Sequence, residues 1–336
     1  MLVVAAGFLV ADIIAAGLPK IAEPGELVYT TREVTVSIGG HPANLSANLV
    51  KLGVPPSEIC VVGAVGKDIF GDFIVGELKG RGLVTVIQRI GEKGTTKDVI
   101  LVVKGEDRRF HVDIGASLML DPELVKKKIA EYRPLIAYLA AGLNGRFDDV
   151  LIDVVREAKR LGSKVFLDLA RPYGRDWDFI LPALKEADVF HCNDAELRYI
   201  TGIGSTVDAA RWLTGEGLEL LLVTMGSRGA YAFTSRIAVK EKAFKVDAVD
   251  PTGAGDAFSA GIISWLTSRY GAELRSVSLG GLSGDELKEM LLYGQAVAAV
   301  KCTGVGAGTA VNRESIESLV KKQGGRILST AEVMEL

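Results

Sequence analysis

The chain has 336 residues, 48% hydrophobic and 24% charged, enough to bury a large core, which excludes a disordered or low-complexity chain. A net charge of −3 with lysine and arginine dispersed along the sequence lacks the basic footprint of a nucleic-acid binder and points to a small-molecule partner. No uninterrupted apolar run reaches the ~20 residues needed to cross a bilayer, and three widely separated cysteines, Cys60, Cys192 and Cys302, fit buried thiols in a reducing, cytoplasmic setting better than disulfides or zinc. In chain order, Leu2 to Gly7 is a short apolar run ended by glycine, which predicts a strand buried on both faces of a parallel sheet. Residues 1 to 18 lack the basic start of a signal peptide, and Asp12 interrupts them. A carboxylate among Leu9, Val10, Ile13 and Ile14 either binds hydroxyl groups of a ligand or sits at an exposed edge.

Ser37 to Gly53 places Gly39-Gly40 before a helix that stops at Gly53 and Pro55, with Asn44 offering a donor and an acceptor in the first turn. His41, with no second polar partner near it in sequence, reads as a rim residue. Cys60 to Gly71 reads as strand, glycine turn and helix, the helix carrying Phe70, Phe73, Ile74 and Leu78. From Thr85 to Asp113 short β segments predict hairpins, including Val99 to Val103 and Phe110 to Val112. From Asp121 onward helix and strand patterns alternate, which predicts βα units on a parallel sheet with ligands at the carboxyl ends of the strands, where Asp168, Asn193 and Gly226 fall.

Asn193 followed by Glu196 opens a helix after a strand, a pattern that also suits a capping box. Val223 to Ala230 is a strand-to-turn segment in which Thr224 can donate a hydrogen bond and Gly226 admits a close ligand. Asp250-Pro-Thr-Gly-Ala-Gly-Asp256 then sets a glycine-rich turn against a helix whose stripe is Phe258, Ile262, Trp265 and Leu266, with Asp256 in the first turn. Converging N–H groups of Gly253, Ala254, Gly255 and Asp256, plus the positive end of the helix dipole, make a cradle for a phosphate. A dinucleotide fingerprint would need glycine or alanine at position 258, where Phe258 stands, and no Gly-Lys-Ser or Gly-Lys-Thr loop is present. Ser283 with Glu286 caps the next helix, which carries Gln295, and Gly304 to Gly308 forms a final glycine-rich turn.

Asp-x-Thr-Gly-Ala-Gly-Asp-Ala-Phe at 250–258 and Gly-Gly-x-x-x-Asn at 39–44 resemble the two signatures of the ribokinase-like (PfkB-type) carbohydrate kinases, and the order of motifs extends that resemblance from residue 1 to about 312. It implies one ribokinase-like three-layer α/β/α domain over residues 1–336, with a mainly parallel sheet and a small discontinuous β lid from about 9–18, 27–38 and 96–114. It implies Asp256 as catalytic base with the turn Gly253, Ala254 and Gly255 as anion hole, and Asp12, Gly39, Gly40 and Asn44 around the sugar. Asn193, Thr224, Gly226 and Gln295 would attend the nucleotide, Glu196 would organise hydrated magnesium, and Asp250 with the turn at 304–308 would hold a monovalent cation such as K+.

The expected activity is ATP- and Mg2+-dependent phosphorylation of a hydroxyl on a sugar or related polyol. A nucleoside kinase of the same family and a non-catalytic sugar or nucleotide sensor are the alternatives; the intact pairing of Asp256 with its glycine cradle weighs against the sensor. Departures are Val10 where ribokinase has asparagine, Ser117 in a Gly-Ala-Asn motif, and Ala140-Ala141-Gly142 where ribokinase carries a substrate-binding glutamate, which disfavours ribose. The lid edges and one apolar face, with Ile13, Val99, Leu101 and Val103, predict a homodimer that clasps lid against lid.

Overall fold

Val3 to Ala6 divides its side chains between two cores: Val3 and Ala5 meet one, Val4 and Ala6 the other, and all four are fully buried. Alternation onto two apolar surfaces is what a strand in the middle of a doubly covered parallel sheet requires. The computed structural model describes residues 1–106, 108–304 and 310–336. Its first half runs β1 (Val3–Ala6), β2 (Val10–Leu18), β3 (Val34–Gly39), α1 (His41–Lys51), β4 (Ile59–Gly66), α2 (Ile69–Gly80), β5 (Val84–Ile90), β6 (Lys97–Val103) and β7 (Arg109–Asp113). There follow α3 (Pro122–Tyr132), β8 (Ile136–Ala141), a single turn α4 (Arg146–Asp149), α5 (Leu151–Arg160), β9 (Lys164–Leu169), a single turn α6 (Leu181–Leu184), β10 (Val189–Asn193), α7 (Asp194–Thr201) and α8 (Thr206–Gly215). The last part is β11 (Leu220–Thr224), β12 (Ala230–Phe233), β13 (Ile237–Glu241), α9 (Ala254–Tyr270), α10 (Gly284–Cys302), α11 (Arg313–Ser329) and β14 (Glu332–Glu335).

Ten strands form one sheet in the order β14-β13-β12-β11-β10-β9-β8-β1-β4-β5, parallel from β11 to β5 and antiparallel from β11 to β14. Helices α1, α2, α9, α10 and α11 cover one face, and α3, α5, α7 and α8 the other. The three-layer α/β/α architecture with a mainly parallel sheet is therefore as the sequence implies. Two local expectations change. β5 pairs with β4 in the main sheet, so the hairpin region begins only at β6. Within the alternating pattern from Asp121 onward, the sequence from Phe147 to Leu161 reads as one helix, but it breaks after Asp149 into α4 and α5.

A second sheet, in the order β3-β2-β6-β7, stands beside the main one. β2 pairs parallel with β6, while β3 and β7 flank them antiparallel. One face exposes Val34, Val36 and Val99, while Phe110 and Val112, paired with Ile100 and Asp98, are exposed on the opposite face, the one that carries Asp12. Val103, expected on the face of Val99, is only 3% exposed, at the end of β6 opposite Leu18. Only Gly7, Phe8 and Leu9 join β1 in the main sheet to β2 in the small one.

Candidate active site

The period of a strand places alternate residues on one face, so Tyr138 on β8, Asp168 on β9, His191 on β10 and Thr224 on β11 line up across four neighbouring strands beneath α9. Each is the polar residue at or near the carboxyl end of an apolar strand, and together they form a continuous polar row. Asp168 Oδ2 accepts from the Tyr138 hydroxyl at 3.0 Å and from Ser259 Oγ of α9 at 2.9 Å, and it lies 3.2 Å from His191 Nδ1. Its Oδ1 accepts from the Leu169 N–H at 2.9 Å, and His191 Nε2 lies 3.3 Å from Thr224 Oγ1. Burial opposes the charge on Asp168, but the imidazoles of His191 and His41 beside it outweigh burial and hold the carboxyl well below the usual range. Asp168 is thus a fixed anion.

Asp256, 6% exposed in the first turn of α9, stands over this row. Its Oδ2 accepts from Asn44 Nδ2 of α1 at 2.8 Å, while its Oδ1 has no hydrogen-bond partner among the described residues. Burial raises its pKa, helped by Asp168 and opposed by His41 and Asn44, and the balance leaves it above the ordinary value. Asp12 in β2 is pushed up to about 7 by burial and by the charges of Asp98 and Asp256. The glycines before α1 have firm reasons. A Cβ on Gly39 would lie 2.2 Å from Asp12 Oδ2, and Gly40 has φ 90 with its Cβ direction 2.3 Å from the Phe8 carbonyl oxygen. The structure therefore brings Asp12, Gly39, Gly40, Asn44 and Asp256 to one place.

On the other side of Asp256 a cavity of about 310 Å³ is lined by Thr224, Gly226, Phe244, Ala254, Gly255 and Gln295, among others. Gln295 Nε2 donates to Glu241 Oε2 at 3.0 Å, so its amide is fixed in the wall. The turn before α9 has Gly253 as N-cap without a side-chain cap, and the Ala254 N–H is already directed to the Pro251 carbonyl at 3.1 Å. Among the described residues the N–H groups of Gly253, Gly255 and Asp256 have no such acceptor. Arg108, from the loop between β6 and β7, reaches across to donate to Thr252 Oγ1 and lies 3.4 Å from Asp250 Oδ1.

Asn193 and Glu196 form a reciprocal capping box at the start of α7: Asn193 Oδ1 accepts from the Ala195 and Glu196 N–H groups, and Glu196 Oε2 accepts from the Asn193 N–H. Burial raises the Glu196 pKa, which a nearby cation would reverse, so the carboxylate suits a hydrated magnesium ion. Asp250 differs: its carbonyl accepts from Lys301 Nζ at 2.6 Å, and Lys301 is fully buried. That carbonyl is thus already engaged by a side-chain donor, whose pKa burial lowers. The remaining members of that expected cation site, in the turn at 304–308, fall outside the described residues beyond Gly304.

His41, its side chain 21% exposed, does lie at the edge of the site, but it has the polar partners that its sequence context lacks. Its Nδ1 lies 3.5 Å from Asp168 Oδ1 and 3.7 Å from Asp256 Oδ1. One donor atom from each of the three residues lies within 4.8 Å of the others, a spacing that a metal ion can use. With Asp168 already accepting several hydrogen bonds, a proton on the imidazole satisfies the two carboxylates as well. Tyr138, His191 and Ser259 also went unread in the sequence; their one signal is a polar side chain interrupting an apolar strand end or helix stripe.

The family model for pfkB family carbohydrate kinases matches residues 2–314. Among curated proteins the chain is 26% identical over 314 residues to a ribokinase from Haemophilus influenzae, covering 90% of this chain and 93% of that one. It is 26% identical over 297 residues to a fructokinase from Solanum tuberosum, covering 85% and 86%. Among solved structures, a ribokinase from Giardia lamblia superposes with TM-score 0.82 at 22% identity, covering 96% of this chain and 98% of that one, and a fructokinase with bound ATP from Xylella fastidiosa with TM-score 0.80 at 24% identity and the same coverage. A family match over nearly the whole chain, with the shared fold, settles its membership: the chain belongs to the PfkB family of carbohydrate kinases, which are phosphotransferases.

Proposed function

We propose that the protein transfers the γ-phosphoryl group of ATP to a hydroxyl of a sugar or related polyol, with Asp256 as general base. The observation that carries this reading is a buried Asp256 whose Oδ1 accepts no hydrogen bond among the described residues, poised between a polar subsite and a separate cavity beside the glycine turn. The acceptor would sit against Asp12, Gly39, Gly40 and Asn44, and its attacking hydroxyl would give its proton to Asp256. Asn44, by holding Oδ2, leaves one oxygen for that task.

The nucleotide would occupy the cavity beside Thr224, Gly226 and Gln295, with the N–H groups of Gly253, Gly255 and Asp256 meeting charge on the transferred group. Arg108 would cover that group from the lid and help exclude water, the competing acceptor. Asn193 and Glu196 would orient the hydrated magnesium ion, which when bound neutralises phosphate charge. Lys301, donating to the Asp250 carbonyl, would stand in for a monovalent cation there.

The acceptor's identity is narrowed by the loop after β8. Its carboxylate, Asp148, is 3% exposed and accepts from the Gly142 and Asn144 N–H groups, so it closes the loop on itself and offers nothing to a sugar. That favours an acceptor other than ribose. A panel of sugars, sugar acids, inositols and nucleosides, assayed for ADP release with Mg-ATP, tests the reading: turnover confined to nucleosides would favour a nucleoside kinase, and no turnover with any class would favour a sensor. The exposed apolar face of the small sheet supports a second copy as its cover, forming a homodimer. Sedimentation equilibrium at micromolar concentration giving a mass near 35.7 kDa, unchanged by acceptor and ATP, would refute the dimer.

A further inference from the structure

Of the buried side-chain atoms that lack a hydrogen-bond partner among the described residues, a pair in the site face each other: His41 Nδ1 and Asp256 Oδ1, 3.7 Å apart. A third group, the Asp168 carboxylate, lies 3.5 Å from the same imidazole nitrogen. Asp168 accepts from Tyr138, Ser259 and Leu169 and lies 3.2 Å from His191 Nδ1, a setting that keeps it ionised rather than sharing a proton with the base. Left alone, its charge would drive Asp256 toward the neutral acid, in which form a carboxyl cannot accept the hydroxyl proton.

We propose that His41 is a positioning residue for the general base: its imidazolium, held between Asp168 and Asp256, keeps Asp256 ionised with Oδ1 free for the acceptor hydroxyl. The inference rests on the kinase reading above. The ring is placed for this task by rigid neighbours, since His41 opens α1 directly after Gly40 at φ 90, is followed by Pro42, and packs edge-on against Phe8 with centroids 4.9 Å apart. The groups facing it are Asp256 from α9, Asp168 and His191 from the sheet, Glu196 from α7, and beyond Asp256 the Asp12 carboxylate from β2. Four of these five are carboxylates, an environment that favours the charged imidazole. Burial opposes the charge, but Asp256 and Asp168 outweigh it and raise the His41 pKa to about 9. During transfer the acceptor O–H bond breaks and its proton goes to Asp256 Oδ1. The acceptor oxygen forms the new bond to phosphorus as the bond to the ADP oxygen breaks, and His41 neither gains nor loses a proton.

The test uses the full chain and does not depend on knowing the acceptor. The sequence has three histidines, so 15N-histidine NMR with His41→Gln as the assigning variant isolates one ring. That ring should remain protonated past pH 8, and Asp256→Asn should lower its midpoint by about one unit or more, the size expected for loss of an adjacent opposite charge. In 13Cγ-aspartate spectra the resonance lost in Asp256→Asn should titrate higher by about one unit in His41→Gln and return toward the parent value in His41→Lys, which restores charge without the ring. A His41 midpoint near the ordinary histidine value, or an Asp256 titration indifferent to His41→Gln, overturns the proposal. With any acceptor that turns over, the acid limb of kcat/KM should move up in His41→Gln and back in His41→Lys while the KM for ATP stays put; coincident profiles also overturn it. An inactive acceptor panel combined with the expected NMR shifts would sink the kinase reading alone, leaving the coupling of His41 to Asp256 in place.

Discussion

The two sides of Asp256 are made of different materials. Toward the acceptor, Asp12, Asp98, Asp168, His41, His191 and Asn44 crowd into a charged, hydrogen-bonded cluster. Toward the nucleotide, alanines, glycines and Phe244 and Phe258 line the cavity, with Gln295 pinned to Glu241. A charged subsite rejects a wrong ligand by leaving buried groups unpaired, whereas an apolar wall discriminates weakly by size. On the proposed assignment, specificity would belong to the acceptor side, and so would the instability of carboxylates held together without a ligand.

The sharpest break of that contrast is at its boundary. Asp256→Asn should lower kcat ~10²–10⁴-fold, the usual loss of a general base, with ATP affinity by calorimetry changed only a few-fold; near-normal kcat would remove Asp256 from the role. Next, Asp12→Asn should raise the acceptor KM ~10–100-fold, as for loss of one charged hydrogen bond, and leave the KM for ATP alone. The same variant has a stability signature. Asp12 titrates near 7 in the folded chain against 3.8 ordinarily, so the stabilisation it gives in its protonated form is lost as pH rises through 7. Unliganded Asp12→Asn should then melt above the parent at pH 8, and by calorimetry the gap should close toward pH 4.

On the nucleotide side, Ala299→Phe would overfill the cavity and should raise the KM for ATP ~10-fold, from about 1–3 kcal/mol of overpacking, without moving the acceptor KM or the pH profile. The smallest effect is a designed absence. Replacing potassium by tetramethylammonium should leave parent turnover unchanged, because Lys301 already donates to the Asp250 carbonyl, whereas Lys301→Met should acquire a potassium dependence. A parent enzyme that stalls without potassium would contradict the tethered charge.

Much of this division was legible in the chain because it rests on local backbone demands. Gly39-Gly40 and Gly253 stand where a close side chain or a left-handed φ admits little else, and a motif of consecutive residues records such demands directly. The charged cluster was not legible in the same way. Tyr138, Asp168, His191 and Ser259 are single polar residues in four distant segments, and their meeting is produced by strand order and by the rotation of α9 over the sheet. His41 looked isolated for that reason, since both its partners come from elsewhere in the sequence. Val103 marks a different limit: alternation puts it with Val99, yet as the last residue of β6 it is buried, so the period does not hold to the strand's end.

The short link between β1 and β2 governs how the two sides come together. Gly7, Phe8 and Leu9 connect the main sheet to the lid, and the Phe8 carbonyl lies against Gly40 at the start of α1. A rotation about that link has its axis beside the acceptor subsite. Displacement grows with distance from an axis, so Asp12, three residues beyond the link, would travel little, while Arg108 at the far end of the lid would sweep the widest arc to reach Thr252. The molecule would then work as a lever with a short arm for recognition and a long arm for closure, with the acceptor registered first and the phosphate end sealed last.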